Sequence, residues 1–148
     1  MADMTVKGAA LAAAQAGDFS SLPIHNPAVE CASRQEIRAL QLERLIEQVR
    51  WTYDRVAWYR ERMDRDGVSP DDIKTLEDVR KLPFTDQSVL RDTFPYGLFA
   101  VPLDQVKELH SSSGTTGKPI VVGPNGPALA LGADCIMRLV QLAGVVPG

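Results

Sequence analysis

An amphipathic run between Ser33 and Gly67 constrains the fold more than any other feature of this chain. Leu42, Leu45, Ile46, Val49, Tyr53, Val56 and Met63 recur at steps of three and four, the spacing of one helical face. Ser33-Arg34-Gln35-Glu36 reads as a capping box at its start: the serine hydroxyl accepts from the third helical N–H and the glutamate reaches back to the cap. Gly67 closes the run, as glycine does after many helices because it takes the left-handed conformation without strain. Trp51, Trp58 and Tyr59 widen the stripe and are expected in the core.

Shorter pieces follow. Ser69-Pro70-Asp71-Asp72 places a cap, a proline at the first helical position and acids in the first turn, where the helix dipole favours them. Thr75 opens "TLEDVRKLP", stopped by Pro83, and Thr85 opens "TDQSVLRDTFP", stopped by Pro95. Tyr96 to Pro102, "YGLFAVP", is expected to be an ordered loop packed on the core. From Gln105 the pattern changes: "QVKELH" alternates as a half-buried strand does, and "IVVG" reads as a short buried strand. "GPNGP" is a turn by composition, and Ala128 to Ala143 reads as a last helix carrying Leu129, Ile136, Leu139, Val140 and Leu142. The expected organisation is a weakly helical or disordered extension over 1–23, a helical region over 24–104, and a strand–loop–strand–helix unit over 105–148. The fold class is therefore α/β, an α-rich fragment with an incomplete sheet, because two strands alone are marginal in water. A chain that stops at "GVVPG" reads as cut.

Composition excludes several functions. With 148 residues, 16 Lys+Arg against 19 Asp+Glu and a net charge of -3, the chain has no basic stripe for nucleic acid. No apolar run reaches the roughly 20 residues that span a bilayer, and the alanine-rich start with Asp3 ahead of Lys7 does not read as a secretory signal. Cys31 and Cys135 stand alone, without a CxxC or histidine partner, so neither a metal site nor a disulfide is expected. That usage fits a reducing cytoplasm.

The stretch with chemistry in it is "HSSSGTTGKPIVVG", His110 to Gly123. Glycines let successive backbone amides converge on one point and form an anion-binding nest. Hydroxyls of Ser112, Ser113, Thr115 and Thr116 can donate to phosphate oxygens, and Lys118 adds a point charge. With Gly114 and Gly117, these residues suit a polyphosphate. The loop is not a Walker A motif, which needs a glycine six residues before the lysine and Ser or Thr after it; those positions hold Ser112 and Pro119. A surface hairpin of small polar residues is the competing reading, and spacing alone leaves both open.

"SSSGTTGKP" resembles the phosphate-loop signature of the AMP-forming adenylating enzymes, the acyl- and aryl-CoA synthetase superfamily. "NPAVECASRQEIRALQLERL", "WTYDRVAWYRERMD", "LPFTDQSVLRDTFPYGLFAVPLDQVKELHSSSGTTGKPIVVG" and "LAGVVPG" together resemble the amino-terminal part of phenylacetate–CoA ligases, from about Asn26 to Gly148. The resemblance implies a two-step reaction. A carboxylate attacks the α-phosphate of Mg2+-bound ATP, giving an acyl-adenylate and pyrophosphate; the thiol of coenzyme A then displaces AMP. It also implies that Ser112, Ser113, Gly114, Thr115, Thr116, Gly117 and Lys118 hold the β- and γ-phosphates, by positioning and charge stabilisation.

The chain departs from the family where "PNGPALALGAD" stands in place of the usual Tyr-Thr and tryptophan-bearing helix. It lacks the family's aromatic-acid pocket, adenine and ribose contacts, magnesium-binding glutamate and catalytic lysine. No catalytic residue and no metal ligand is therefore assigned, and Arg91, Asp92 and His110 read as surface or packing residues. The leading expectation is the amino-terminal segment of an aryl-acid–CoA ligase, inactive alone, with ATP, an aryl acid and coenzyme A as small-molecule substrates of the complete enzyme. Two others stand beside it: a non-enzymatic truncated paralogue that pairs as a homodimer or with another chain through uncovered apolar surface, and a relative that adenylates a different acid.

Overall fold

The computed structural model describes residues 24–112 and 118–143, so the expected 1–23 extension lies outside the described residues. These fall into two compact units, one of residues 33–112 with 118–127 and one of residues 24–32 with 128–143.

In the larger unit the amphipathic run folds as two helices, α2 (Arg34–Arg55) and α3 (Ala57–Asp66); α1 is the short Pro27–Glu30 helix before them. The capping box forms as read: the Glu36 N–H donates to Ser33 Oγ and the Ser33 N–H to Glu36 Oε2. Gly67 ends α3 at φ 69°, a left-handed conformation that a Cβ would strain. The run is not one straight helix, however. Val56 breaks it with φ −114° and ψ 105°, and no proline or glycine marks the place. Its N–H still donates to Thr52 O, and its carbonyl accepts from the Tyr59 and Arg60 N–H groups, so one residue ends one helix and starts the next. A β-branched side chain suits that extended backbone, and Val56 is buried, 2% exposed.

The core is small. Val49, Met63 and Ile73 are buried together, with Leu45, Ile46, Tyr53, Val68 and Leu82 packed partly against them. The expectation that Trp51 joins them is corrected: it is 40% exposed, with the Arg55 guanidinium 3.7 Å over its ring. Two residues beyond Val49 is about 200° around an α-helix, so Trp51 points away and is covered by a cation instead. Trp58 and Tyr59 are half-buried and meet edge to face at 4.9 Å.

Two 3-10 helices, Pro70–Asp72 and Leu76–Lys81, pack along α2. Arg50 pairs with Asp71 at 2.7 Å and Arg38 with Glu77 at 2.8 Å. The third short helix, α4, spans Gln87–Asp92, and its cap is Asp86 rather than the expected Thr85: the Asp86 carboxylate accepts from the Ser88 and Val89 N–H groups. Thr85 is engaged elsewhere, its hydroxyl 2.7 Å from the Tyr59 hydroxyl. Residues 96–102 form the expected ordered loop, preceded by a cis Phe94–Pro95 bond.

The strand signals are realised narrowly. β1 (His110–Ser111) and β2 (Val121–Val122) pair antiparallel, with His110 opposite Val122 and Ser111 opposite Val121. Of the alternating "QVKELH" segment, Val106 makes an isolated bridge to Asn125 and the Lys107 N–H donates to Pro124 O. Leu109 is exposed rather than half-buried, and Val122 is exposed in the segment read as a buried strand, because a two-stranded ladder has one more face than its neighbours cover. The last helix, α5 (Gly126–Leu142), starts two residues inside the expected turn, with Pro127 in its first turn. No helix among the described residues is long and apolar enough to cross a membrane.

In the smaller unit, ion pairs tie residues 24–30 to α5. His25 Nε2 lies 2.8 Å from Asp134 Oδ1, and Arg138 pairs with both Asp134 and Glu30.

Two predictions follow from these contacts. A Cβ at Gly123 would sit 2.5 and 2.6 Å from the Phe99 ring, so Gly123→Ala should destabilise the larger unit by about 1–3 kcal/mol in chemical denaturation; an unchanged midpoint would show that the ring is not fixed there. The second concerns acid. Lys81 and the Lys74 and Thr75 N–H groups hold the Asp78 carboxyl well below the usual carboxylate range, and N–H and hydroxyl donors from Ser69, Ser88 and Ser33 lower Asp72, Asp86 and Glu36. A depressed folded-state pKa contributes stability above the unfolded value, about pH 4, and loses it as pH falls further. Urea denaturation from pH 6 to pH 2.5 should therefore show a decline that Asp78→Asn shallows; an identical slope in the variant would remove Asp78 from the account.

Candidate functional site: the base of the serine-threonine-glycine loop

Of the seven residues read as phosphate-binding, Ser113, Gly114, Thr115, Thr116 and Gly117 lie outside the described residues, while Ser112 and Lys118 are described. The structure thus defines the base of the loop. Ser112 and Ile120 bond reciprocally: the Ser112 N–H donates to Ile120 O and the Ile120 N–H donates to Ser112 Oγ, both at 3.0 Å. These bonds continue the β1–β2 register by one step, so the chain leaves and re-enters the ladder at facing positions. Lys118, two residues before Ile120, is exposed.

The Ser112 side chain therefore has a part that sequence reading did not assign. Its oxygen accepts a backbone proton and clamps the loop, while its hydroxyl hydrogen is left to donate. Phe99 and Gly123 were missed as well. The Phe99 ring lies against Gly123 and beside Val106 at the foot of the ladder, and stacks obliquely on Tyr96 at 5.2 Å. The only signal was the nearness of "FPYGLFAVP" to the loop, and nothing in it named the glycine it would cover.

His110 is exposed and its Nε2 lies 3.0 Å from Glu108 Oε2; Asp92 is exposed and Arg91 half-buried. The His110–Glu108 pair is exposed on both sides and carries little energetic weight. Among the described residues no group of three His, Cys, Asp or Glu side chains could hold a metal. The described donors at the loop base, the Ser112 hydroxyl hydrogen and the Lys118 ammonium, suit an anion and not a divalent cation. A separate groove of about 570 Å3 is lined by Leu45, Val49, Tyr59, Phe84 and Leu98 among others; the described loop residues Ser112 and Lys118 are not in its lining.

Comparison with known proteins identifies the setting. No protein-family model matches the chain. The phenylacetate-coenzyme A ligase of Thermus thermophilus is 45% identical over 125 residues, covering 84% of this chain and 28% of that protein. That of Escherichia coli K12 is 44% identical over 119 residues, covering 80% and 27%. The chain thus spans little more than a quarter of the length of these relatives. A crystal structure of 2-hydroxyisobutyryl-CoA ligase with 2-HIB-AMP and CoA superposes with a TM-score of 0.72 at 25% identity, over 78% of this chain and 26% of that one.

Replacing the Ser112 hydroxyl tests the clamp. Ser112→Ala should cost about 1 kcal/mol by leaving the Ile120 N–H without its acceptor, read as faster amide exchange at Ile120; unchanged exchange there would contradict the bond. With that ladder, the helical arrangement before it and the extent of the sequence match, the chain is a homologue of the amino-terminal part of the phenylacetate-coenzyme A ligases.

Proposed function

We propose that this chain supplies the ATP phosphate-binding loop of an AMP-forming aryl-acid–CoA ligase, with phenylacetate as the acid, acting in the cytoplasm. The observation that carries the reading is the reciprocal Ser112–Ile120 pair at the base of a loop of sequence Ser-Gly-Thr-Thr-Gly-Lys. A loop anchored at both ends can keep its amides convergent before an anion arrives, which spares the ordering cost at binding. In this reading Ser112, Ser113, Thr115 and Thr116 donate hydroxyl hydrogens to the β- and γ-phosphates, and the amides of Gly114 and Gly117 complete the cradle. Lys118 offsets the charge that grows on pyrophosphate as it leaves. Mg2+ would be met through phosphate oxygens, since the donors at the loop base are themselves anion ligands.

The acid site, the nucleotide base contacts and the residues serving coenzyme A belong, on this reading, to the part of the ligase that this chain does not match. The 148 residues alone are accordingly proposed to be inactive. The similarity to a 2-hydroxyisobutyryl-CoA ligase supports a second reading, in which the acid differs.

A chimera tests both. The matched amino-terminal segment of the Escherichia coli relative is replaced by this chain, and acid-dependent pyrophosphate–ATP exchange is measured. Exchange driven by phenylacetate is expected; exchange driven only by 2-hydroxyisobutyrate would select the second reading. Lys118→Ala and Gly117→Val in the chimera should each lower exchange by about 10²-fold or more without lowering its melting temperature. Normal exchange in both variants would remove the phosphate role, and turnover by the isolated chain would remove the claim of inactivity.

A further inference from the structure

Helix α5 carries its charge on one side. Asp134 and Arg138 are half-buried and engaged with His25 and Glu30. The other side is apolar and open: Leu131 is 60% exposed, Ile136 60%, Leu139 67% and Leu142 53%. At 100° per residue these four, with Ala128 and Cys135, fall within a sector of about 140° that holds no charged residue. A surface helix normally turns such a stripe inward and its charges outward. Here the ionic side faces its own unit and the greasy side faces out. Contiguous apolar surface of this kind marks an interface rather than a solvated face.

The occupant follows from the share of its relatives that the chain represents. It matches 28% of the Thermus thermophilus ligase and, as a fold, 26% of the 2-hydroxyisobutyryl-CoA ligase chain. In those proteins the same helical arrangement is one part of a chain about three times as long. We infer that the Leu131–Leu142 stripe of α5 is the docking face for the remainder of a phenylacetate-CoA ligase-like body, and that covering it joins this segment to the rest of the enzyme. The inference rests on the proposed function for the identity of the partner, and on the exposed stripe for the place where it binds.

Cys135 reports on the stripe, because it is a free, exposed thiol within the same sector. Maleimide labelling of the Cys135 peptide, read by mass spectrometry, is compared between the isolated chain and the chimera described above. Labelling is expected to be slower by about tenfold or more in the chimera, as for a site exposed only by local opening. Leu139→Asp should leave the circular dichroism of the isolated chain unchanged, since that side chain is solvated there. In the chimera the same substitution should restore fast labelling and lower the melting temperature. Equal labelling rates in chain and chimera would overturn the inference. So would an insoluble chimera, because the stripe would then not fit that body, and so would concentration-dependent protection in the isolated chain, which would make a second copy the occupant. Protection without pyrophosphate exchange sinks the proposed function alone; exchange with an unprotected Cys135 sinks this inference alone.

Discussion

The two hydrogen bonds between Ser112 and Ile120 are the constraint on which the site depends. They make the two ends of the serine-threonine-glycine loop face each other across a strand pair. Below them the ladder continues through His110–Val122 and Ser111–Val121 to the Lys107–Pro124 bond and the Val106–Asn125 bridge. A pair of strands so short has little stability of its own. Phe99 supplies what the ladder lacks, with the edge of its ring against Gly123, where a larger residue would push it away.

That aromatic contact connects the loop base to the helical part of the unit. Phe99 belongs to the 96–102 loop, and the same loop contributes Leu98 and Ala100 to the groove bounded by α2 and α3. The helices in turn are held by a core of few side chains and by acids that cap short turns from outside. Asp72, Asp78 and Asp86 each accept backbone N–H donors at the start of a short helix. Such caps shape a chain that cannot bury much, because each satisfies donors that would otherwise face water or nothing.

Several apolar side chains are open to solvent. Phe84 is 94% exposed, Val122 lies open on the ladder, and α5 presents leucines to solvent. The homologous ligases are about three times as long, so such residues have a larger surface to meet in a protein of that size. In the docking inferred above, the apolar side of α5 would meet protein rather than water.

Local signals in the sequence were enough for some of the helix starts and for the family. The Ser33–Glu36 box, Gly67 after α3 and Pro70 in its short helix all act through neighbours a few residues away, and such geometry is written in the order of the residues. The homology to phenylacetate-coenzyme A ligases was likewise legible in contiguous stretches. What only the tertiary structure decided were matters of distant contact. Val56 breaks a periodic helix because its side chain is drawn into the core, and Trp51 is turned out because the helix twist sets it opposite Val49. Ser112 is occupied by Ile120, and Gly123 is required by Phe99. Each depends on which surfaces meet after the chain has turned, and no spacing along the chain encodes that meeting.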